Sequence, residues 1–297
     1  MNLAPLLATI GLLLVVRAAV AADIKLATWN LNWLTTRDAG SPGLPPDLQP
    51  RSADDFQRLR TYARELDADV IAIQEVDGYS AARLVFPSET WSIHMARDRL
   101  TQRVGIVVRR GLSYEIHPDL KLHSSDAAAR LRSAVDITLT TQGGPLRILA
   151  VHLKQGCQNP KLDRAGSRDC QLLLGQIPAL RIWIRAREQD GEPFVIMGDF
   201  NRWMDRRDPF IAELRQAAPL ARATEGFASP CWSGEAFVDH ILAGGTARTW
   251  MRPETLAVLR YQETGPEWKS RLSDHCPVSV RFRLPEPADQ PGRSGQG

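Results

Sequence analysis

Asp199 and Asn201 stand two residues apart at the end of an apolar run, Val195-Ile196-Met197-Gly198-Asp199-Phe200-Asn201. Extended backbone puts residues i and i+2 on one side of the chain. The carboxylate and the carboxamide can therefore address one small object just past a buried strand. Such a pair suits a phosphate and its attacking water, the acid taking a proton and the amide donating a hydrogen bond. Gly-Asp-x-Asn is also good turn sequence, so the chemical reading needs partners elsewhere in the chain. Polar residues do recur where apolar runs end. Asn30 and Asn32 follow the first run, Glu75 ends the second, and His152 ends Ile148-Leu149-Ala150-Val151. Asp239 and His240 lie inside a further run, and Ser273-Asp274-His275 precede the last one. Ligand sites in sheet proteins gather at such strand ends.

The elements that must position these residues can be read from periodicity. Alternation or short apolar runs predict strands over 24–29, 69–74, 91–95, 104–108, 194–197, 236–242 and 278–284. The stretches 134–140 and 147–153 flank Gly143-Gly144 and read as a hairpin. Ser52 with Asp54 and Asp55 marks a helix start, followed by Phe56, Leu59, Ala63 and Leu66 at helical spacing. Residues 171–187 form the clearest helix, with Leu173, Ile177, Leu180 and Ile184 on one face. Residues 209–216 make a short one. Many strands, few helices and a hairpin imply a mixed α+β fold with packed sheets.

Composition, at 43% hydrophobic and 24% charged residues, is that of a globular protein with a full core. No linker-like stretch divides the middle of the 297 residues, which predicts one domain over 23–284. Residues 1–22 carry an apolar run and small residues before Asp23, the pattern of a secretory signal peptide. The run is too short to span a bilayer comfortably, since spanning takes about 20 apolar residues. Cleavage there removes Arg17 and takes the net charge from +3 to +2, which by itself does not indicate a nucleic-acid binder. Residues 285–297 are rich in Pro and Gly and read as a disordered tail. Four cysteines fit an exported protein. Cys157 and Cys170 bracket a polar loop that a disulfide could staple, and Cys231 and Cys276 could form a second bridge, although sequence does not fix pairing.

The short strings that carry these residues resemble, in order, the signatures of the endonuclease/exonuclease/phosphatase family. They are Ala27-Thr28-Trp29-Asn30-Leu31-Asn32, Ile73-Gln74-Glu75-Val76, Val151-His152-Leu153, Gly198-Asp199-Phe200-Asn201, Val238-Asp239-His240-Ile241 and Ser273-Asp274-His275-Cys276-Pro277-Val278. The resemblance implies a four-layer α/β sandwich, two packed and mainly antiparallel sheets flanked by helices. That expectation agrees with the α+β reading and with sheet-on-sheet packing.

Roles follow from the chemistry and the resemblance together. In-line attack of water on a phosphodiester builds charge on the phosphoryl oxygens, and a hard divalent cation on carboxylate oxygens offsets it. Glu75 is the best metal ligand, and the resemblance adds Asn32 and Asp274. Magnesium is the expected ion, with manganese or calcium as alternatives. Asp199 is expected to activate water and Asn201 to hold a phosphate oxygen. His275 is expected at the scissile phosphate with Asp239 orienting its ring, and His152 at the phosphate or leaving group. Asp239 and His240 are strand neighbours, so only one can face the site; Asp239 is assigned inward and His240 outward. Asn30 and Arg103 are expected at substrate or phosphate, as are Arg202 and Trp203, which directly follow Asn201. Arg202, Arg206 and Arg207 surround Trp203, Lys269 and Arg271 precede Asp274, and Lys154 follows His152. If these loops share one rim, it suits a polyanion, and Trp203 can stack on a base. The alternative is a set of solvated loop charges offset by Asp205 and Asp208.

The expected protein is an exported, periplasmic or secreted, divalent-metal-dependent phosphodiesterase, a nuclease on DNA or RNA, monomeric and free of the membrane after signal cleavage. The alternatives are a phosphatase or a phospholipid or inositol-phosphate esterase of the same fold, and a non-catalytic binding or toxin-like module. No apolar aromatic loop of a membrane-inserting kind follows the first 22 residues, which argues against the lipid enzyme.

Overall fold

A computed structural model describes residues 23–122, 130–158, 167–232, 234 and 236–286. The proposed signal peptide, and the proposed tail from 287 on, lie outside the described residues.

Among the described residues, twelve strands form two sheets of six. The first sheet holds β1 (Asp23–Leu34), β2 (Val70–Val76), β3 (Trp91–Met95), β4 (Arg103–Arg109), β11 (Met251–Val258) and β12 (Val278–Arg283), in the order β11-β12-β1-β2-β4-β3. The second holds β5 (Tyr114–Ile116), β6 (Val135–Thr141), β7 (Gly144–His152), β8 (Phe194–Asp199), β9 (Ala221–Arg222) and β10 (Asp239–Gly244), in the order β5-β6-β7-β8-β10-β9. Each sheet has one parallel pair at its centre, β1 with β2 and β7 with β8, and antiparallel pairs elsewhere. A parallel pair needs a crossover. Helix α1 (Ala53–Leu66) supplies it in the first sheet and α3 (Arg168–Gln189) in the second. The remaining helices are α2 (Tyr79–Val85), α4 (Pro209–Arg215), α5 (Ala247–Trp250) and α6 (Glu267–Arg271).

Strand alternation builds the layers. Leu26, Val70, Ala72, Ile106 and Val280 of the first sheet meet Ile137, Ile148, Ala150, Val195 and Met197 of the second in one buried cluster. The opposite faces are closed by helices. Leu59, Ala63 and Leu66 of α1 pack with Ala81, Ala82 and Val85 of α2 on Ala27, Trp29, Ile71 and Ile73. Leu173, Ile177, Leu180 and Ile184 of α3 pack with Phe210 and Leu214 of α4 on Leu149, Val151 and Ile196. The result is the expected four-layer α/β sandwich. Helix α1 starts where its chemistry says, with Ser52 and Asp55 forming a reciprocal capping box.

Candidate active site

The ends of the two parallel pairs meet at one edge of the sandwich. Parallel pairing sets His152 opposite Asp199, and antiparallel pairing sets Asp239 on its other side. Gly198 keeps this junction tight: a Cβ there would run into the carbonyl oxygen of Val151. From the first sheet, Asn30, where the regular pairing of β1 with β2 breaks, donates through Nδ2 to Asp199 Oδ2 at 3.0 Å and to Glu75 Oε1 at 3.2 Å. One amide thus ties the two acids together across the two sheets.

Local backbone turns these side chains toward one another. Glu75 has φ 58°, Asn32 43°, Trp33 54° and Asn201 51°, all in the left-handed region. Non-glycine residues held there cost about 1–3 kcal/mol each and concentrate at functional sites. The pairing registers of β1 with β2 and of β2 with β4 both shift at this point. The Trp33 amide donates to Glu75 Oε2 at 3.2 Å, and the Asn201 amide to Asp199 Oδ1 at 2.7 Å.

Electrostatics divide the roles. Asp199 is only 1% exposed. Burial raises its pKa, the His275 charge opposes this, and the neighbouring Asp239 adds to it, so the carboxyl is pushed up to about 7. His275 Nδ1 lies 2.7 Å from Asp239 Oδ2, and its Nε2 lies 4.0 Å from Asp199 Oδ2. Burial works against charge on this ring. The charge and hydrogen bond of Asp239, then Asp199 and Asp274, outweigh it and hold the pKa well above the usual histidine value. His152 is the reverse case. Its burial, then the Arg132 and His275 charges, push its pKa well below 6.5. The neutral ring sits 3.4 Å from Asp199 Oδ2 and 3.8 Å from Glu75 Oε1, with neither nitrogen hydrogen-bonded among the described residues.

The structure thus brings together Asn30, Glu75, His152, Asp199, Asn201, Asp239 and His275. Asp274 stands exposed at the wall of the same cavity. His240 points away as assigned, held between Thr224 Oγ1 at 2.6 Å and the Arg202 carbonyl at 2.9 Å. Asn201 Nδ2 is engaged with Leu153 O at 3.1 Å and Asp199 Oδ2 at 3.2 Å, so this amide braces the acid while its residue lines the cavity.

Asn32 and Arg202 sit elsewhere than expected. Asn32 does not join the acids; its Nδ2 bonds the Lys269 carbonyl at 3.0 Å, and Asn30 takes the place next to Glu75. Arg103 pairs with Val76, next to Glu75, and lays its guanidinium on Gly78 just past β2. Arg202 is fully buried, bonded to Asp208 at 2.7 Å and to the Cys157 carbonyl at 2.8 Å. The basic rim thins accordingly. Arg271 pairs with Asp55 at 2.8 Å and Lys154 with Asp169 at 2.8 Å, which leaves Lys269 on the cavity wall.

Other residues that shape the site carried no motif. Arg51, just before the Ser52 cap of α1, donates to the carbonyls of Leu31, Asn32, Trp33, Arg271 and Leu272. Arg132 bonds the carbonyls of His152 and Leu153 at 3.3 and 2.9 Å. Ser273, just before Asp274 and His275, donates to the Asn30 carbonyl at 2.7 Å and accepts from the His275 amide at 3.0 Å. The cavity beside these groups has a volume of about 340 Å³. Asn201, Asp239, Asp274 and His275 line one part of it, and Trp203, Trp232, Phe237 and Lys269 another.

The donor set fits a hard divalent cation. The carboxylates of Glu75 and Asp199 converge on one amide, and Asp239 Oδ1 is buried with no hydrogen-bond partner among the described residues. Ligand atoms of Asp199, Asp239 and His275 also lie within 4.8 Å of one another, but a ring held as a cation is no metal ligand, so the acids supply the oxygens. Oxygen-rich sites of this kind suit magnesium, manganese or calcium.

Buried acids, a charged histidine and a neutral one at the open edge of a four-layer sandwich define a class of phosphoric ester hydrolase. The sequence matches the model of the Endonuclease/Exonuclease/phosphatase family over residues 27–275, and the chain belongs to that family. No curated protein sequence matches it. Among solved structures it is similar to TDP2 of D. rerio complexed with single-strand DNA product, with 16% identity, a TM-score of 0.59 and coverage of 88% of this chain and 99% of that one. It is also similar to the human Nocturnin catalytic domain with bound sulfate, at 14% identity, TM-score 0.57 and coverage of 89% and 95%. The 3'-5' exonuclease NExo from Neisseria meningitidis matches at 17% identity, TM-score 0.55 and coverage of 87% and 99%. At these identities the likeness speaks to fold.

Proposed function

We propose that this protein is an exported, divalent-metal-dependent phosphodiesterase that acts as a nuclease. The observation that carries the reading is the line Asp239–His275–Asp199, with Asp239 and His275 on the cavity wall and Asp199 buried behind them, a cationic imidazole beside an acid pushed up to about 7. A phosphodiester in this cavity meets His275 Nε2 as a charged donor for a phosphoryl oxygen. Asp199, fixed by Asn30 and Asn201, accepts the proton of the attacking water. Asp239 keeps the ring of His275 oriented and charged. Neutral His152 offers an N–H to the phosphate or the leaving oxygen. Glu75, the side-chain oxygen of Asn30 and Asp274 would hold the cation, which offsets phosphoryl charge when bound.

The nucleic-acid reading draws support from the aromatic and cationic cavity wall and from the TDP2 structure solved with a DNA product. Export draws support from residues 1–22 and from the bridges Cys157–Cys170 and Cys231–Cys276.

The test is hydrolysis of plasmid, single-stranded DNA, RNA, sphingomyelin and inositol phosphates, with magnesium or with chelator. Turnover of nucleic acid that chelator abolishes is the expected result. Turnover of lipid alone would overturn the nuclease reading. Asp199→Asn and His275→Ala should each lower kcat/KM by about 10²–10⁴-fold with the circular dichroism spectrum unchanged. Near-normal rates would overturn the role assignment.

A further inference from the structure

The cavity extends past the reacting groups into a slot lined by Trp203, Trp232 and Phe237. Trp232 forms one wall. Its indole is fixed by its Nε1 hydrogen bond to the Ser273 carbonyl at 3.2 Å and by a tilted stack on Tyr261 at 5.5 Å. The adjacent Cys231 is bridged to Cys276, next in sequence to His275. Trp203, which follows Asn201 and Arg202, presents an indole that is 37% exposed. Phe237, two residues before Asp239, adds a third, largely buried ring, and Lys269 Nζ lies over the face of the Trp232 ring, 5.7 Å from its centroid. Each ring is within a few residues of a group that faces the scissile position: Trp203 of Asn201, Phe237 of Asp239, and Trp232, through its bridge, of His275. An apolar and aromatic concave site with a few convergent polar groups is the usual form of a small-ligand pocket.

We infer that this slot is a nucleobase subsite, which takes one unpaired base of the strand whose phosphate lies at His275 and Asp199. The inference rests on the phosphodiesterase reading above and names its substrate more closely. A base has two π-faces and stacks on indole whatever its identity, so the slot recognises that a base is present and not which one. Lys269, free of an acidic partner among the described residues, offsets the charge of the neighbouring phosphate. A base inside a duplex cannot enter without being unstacked, at a cost of a few kcal/mol, so the slot favours single strands and frayed ends. The cavity volume of about 340 Å³ suits one small ligand and not a stack of base pairs.

The test separates binding from turnover. Calorimetric titration of the metal-free protein with thymidine 5'-phosphate and with deoxyribose 5-phosphate compares two ligands that differ by the base. The nucleotide is expected to bind roughly 5- to 150-fold more tightly, the range that about 1–3 kcal/mol of stacking per base gives. Trp232→Ala should erase most of that ratio and Trp232→Phe restore most of it. Trp203→Ala, at a half-exposed position with little bearing on folding, should reduce the ratio as well. Equal affinities in the native protein, or a ratio that survives both Trp232→Ala and Trp203→Ala, would overturn the subsite. The hydrolysis panel reports separately on the parent reading: a protein that cleaves DNA but shows no base-dependent affinity loses the subsite alone, and one that cleaves nothing loses the parent reading.

Discussion

His240 and His275 show how environment assigns opposite duties to one residue type. His275 lies against carboxylates and is held as a cation, whereas His240 is buried between a hydroxyl and a carbonyl. Burial pushes the His240 pKa down to about 3, with the Arg202 carbonyl bond opposing. The unfolded chain holds this proton below about 6.5 and the folded chain does not until about 3. Stability from this site is therefore complete above pH 6.5 and is lost as pH falls toward 3, by about 1.4 kcal/mol per pH unit. Denaturant titrations between pH 7 and 5 should show His240→Asn losing stability more slowly than the native protein, by about 2 kcal/mol across that interval. Parallel slopes would show that His240 does not stay neutral. Arg202 makes a related point. In sequence it is one more arginine beside the site; in the fold it is a buried pair with Asp208. Removing one partner of such a pair leaves the other charge stranded and costs about 3–5 kcal/mol. Arg202→Met should lower the unfolding free energy by about that much in urea. A change near zero would return Arg202 to the substrate rim. The confusion of Asn32 with Asn30 has its own physical source. Alternation puts both amides on one face only while the backbone stays extended, and Asn32 and Trp33 leave the extended region.

At the level of elements, what could be read were segments whose pattern is set by burial. Helix α3 shows its stripe of Leu173, Ile177, Leu180 and Ile184, and α1 shows its Ser52 cap, so both are legible. Helix α2 starts after Gly78 with no side-chain cap, and nothing in its seven residues announces it. Strand β11 lies at a sheet edge, is half exposed and contains Pro253, a residue confined to edges and bulges because it cannot donate to the ladder. The predicted strand at 236–242 begins only at Asp239, because Ala236 and Phe237 line the cavity instead of pairing. The motifs located the site's strand ends, yet Arg51 and Arg132, which hold those ends through carbonyls, have no local signature. Arg51 donates to five carbonyls from both sides of the first sheet's end. Lysine cannot reproduce that planar fork, so Arg51→Lys should cost at least about 2 kcal/mol in unfolding free energy, since hydrogen bonds to charged groups contribute about 1.5–3 kcal/mol each. An unchanged midpoint in guanidinium would show that the fork is incidental. The β7/β8 junction is equally exacting. Gly198→Ala places a methyl against the Val151 carbonyl at a φ of 154°, and should lower the thermal midpoint and displace Asp199 together.

Across the whole molecule, the site has no element of its own. It is assembled from the ends of two parallel pairs in different sheets, so its geometry depends on the shared core that registers one sheet on the other. The loops beyond those ends are long and polar, and two bridges tie them down. Cys157–Cys170 spans 13 residues and anchors the carbonyl that receives Arg202. Cys231–Cys276 spans 45 residues and joins the Trp232 wall to the segment that carries His275. Chain-entropy reasoning gives the shorter loop about 3 kcal/mol and the longer about 4 kcal/mol. The two should part company in function. Replacing Cys157 and Cys170 by serine should lower the denaturant midpoint with a modest effect on catalysis. Replacing Cys231 and Cys276 should lower the midpoint further and also raise KM for single-stranded DNA, because Trp232 loses the tether that holds it beside His275. The comparison is made on purified double variants at one denaturant slope, so that a change in midpoint reports stability alone. If the Cys231/Cys276 variant kept both its midpoint and its KM, the second bridge would be neither a staple of the fold nor a support of the cavity wall. The placement of that bridge between two chemically active segments would then have no mechanical meaning.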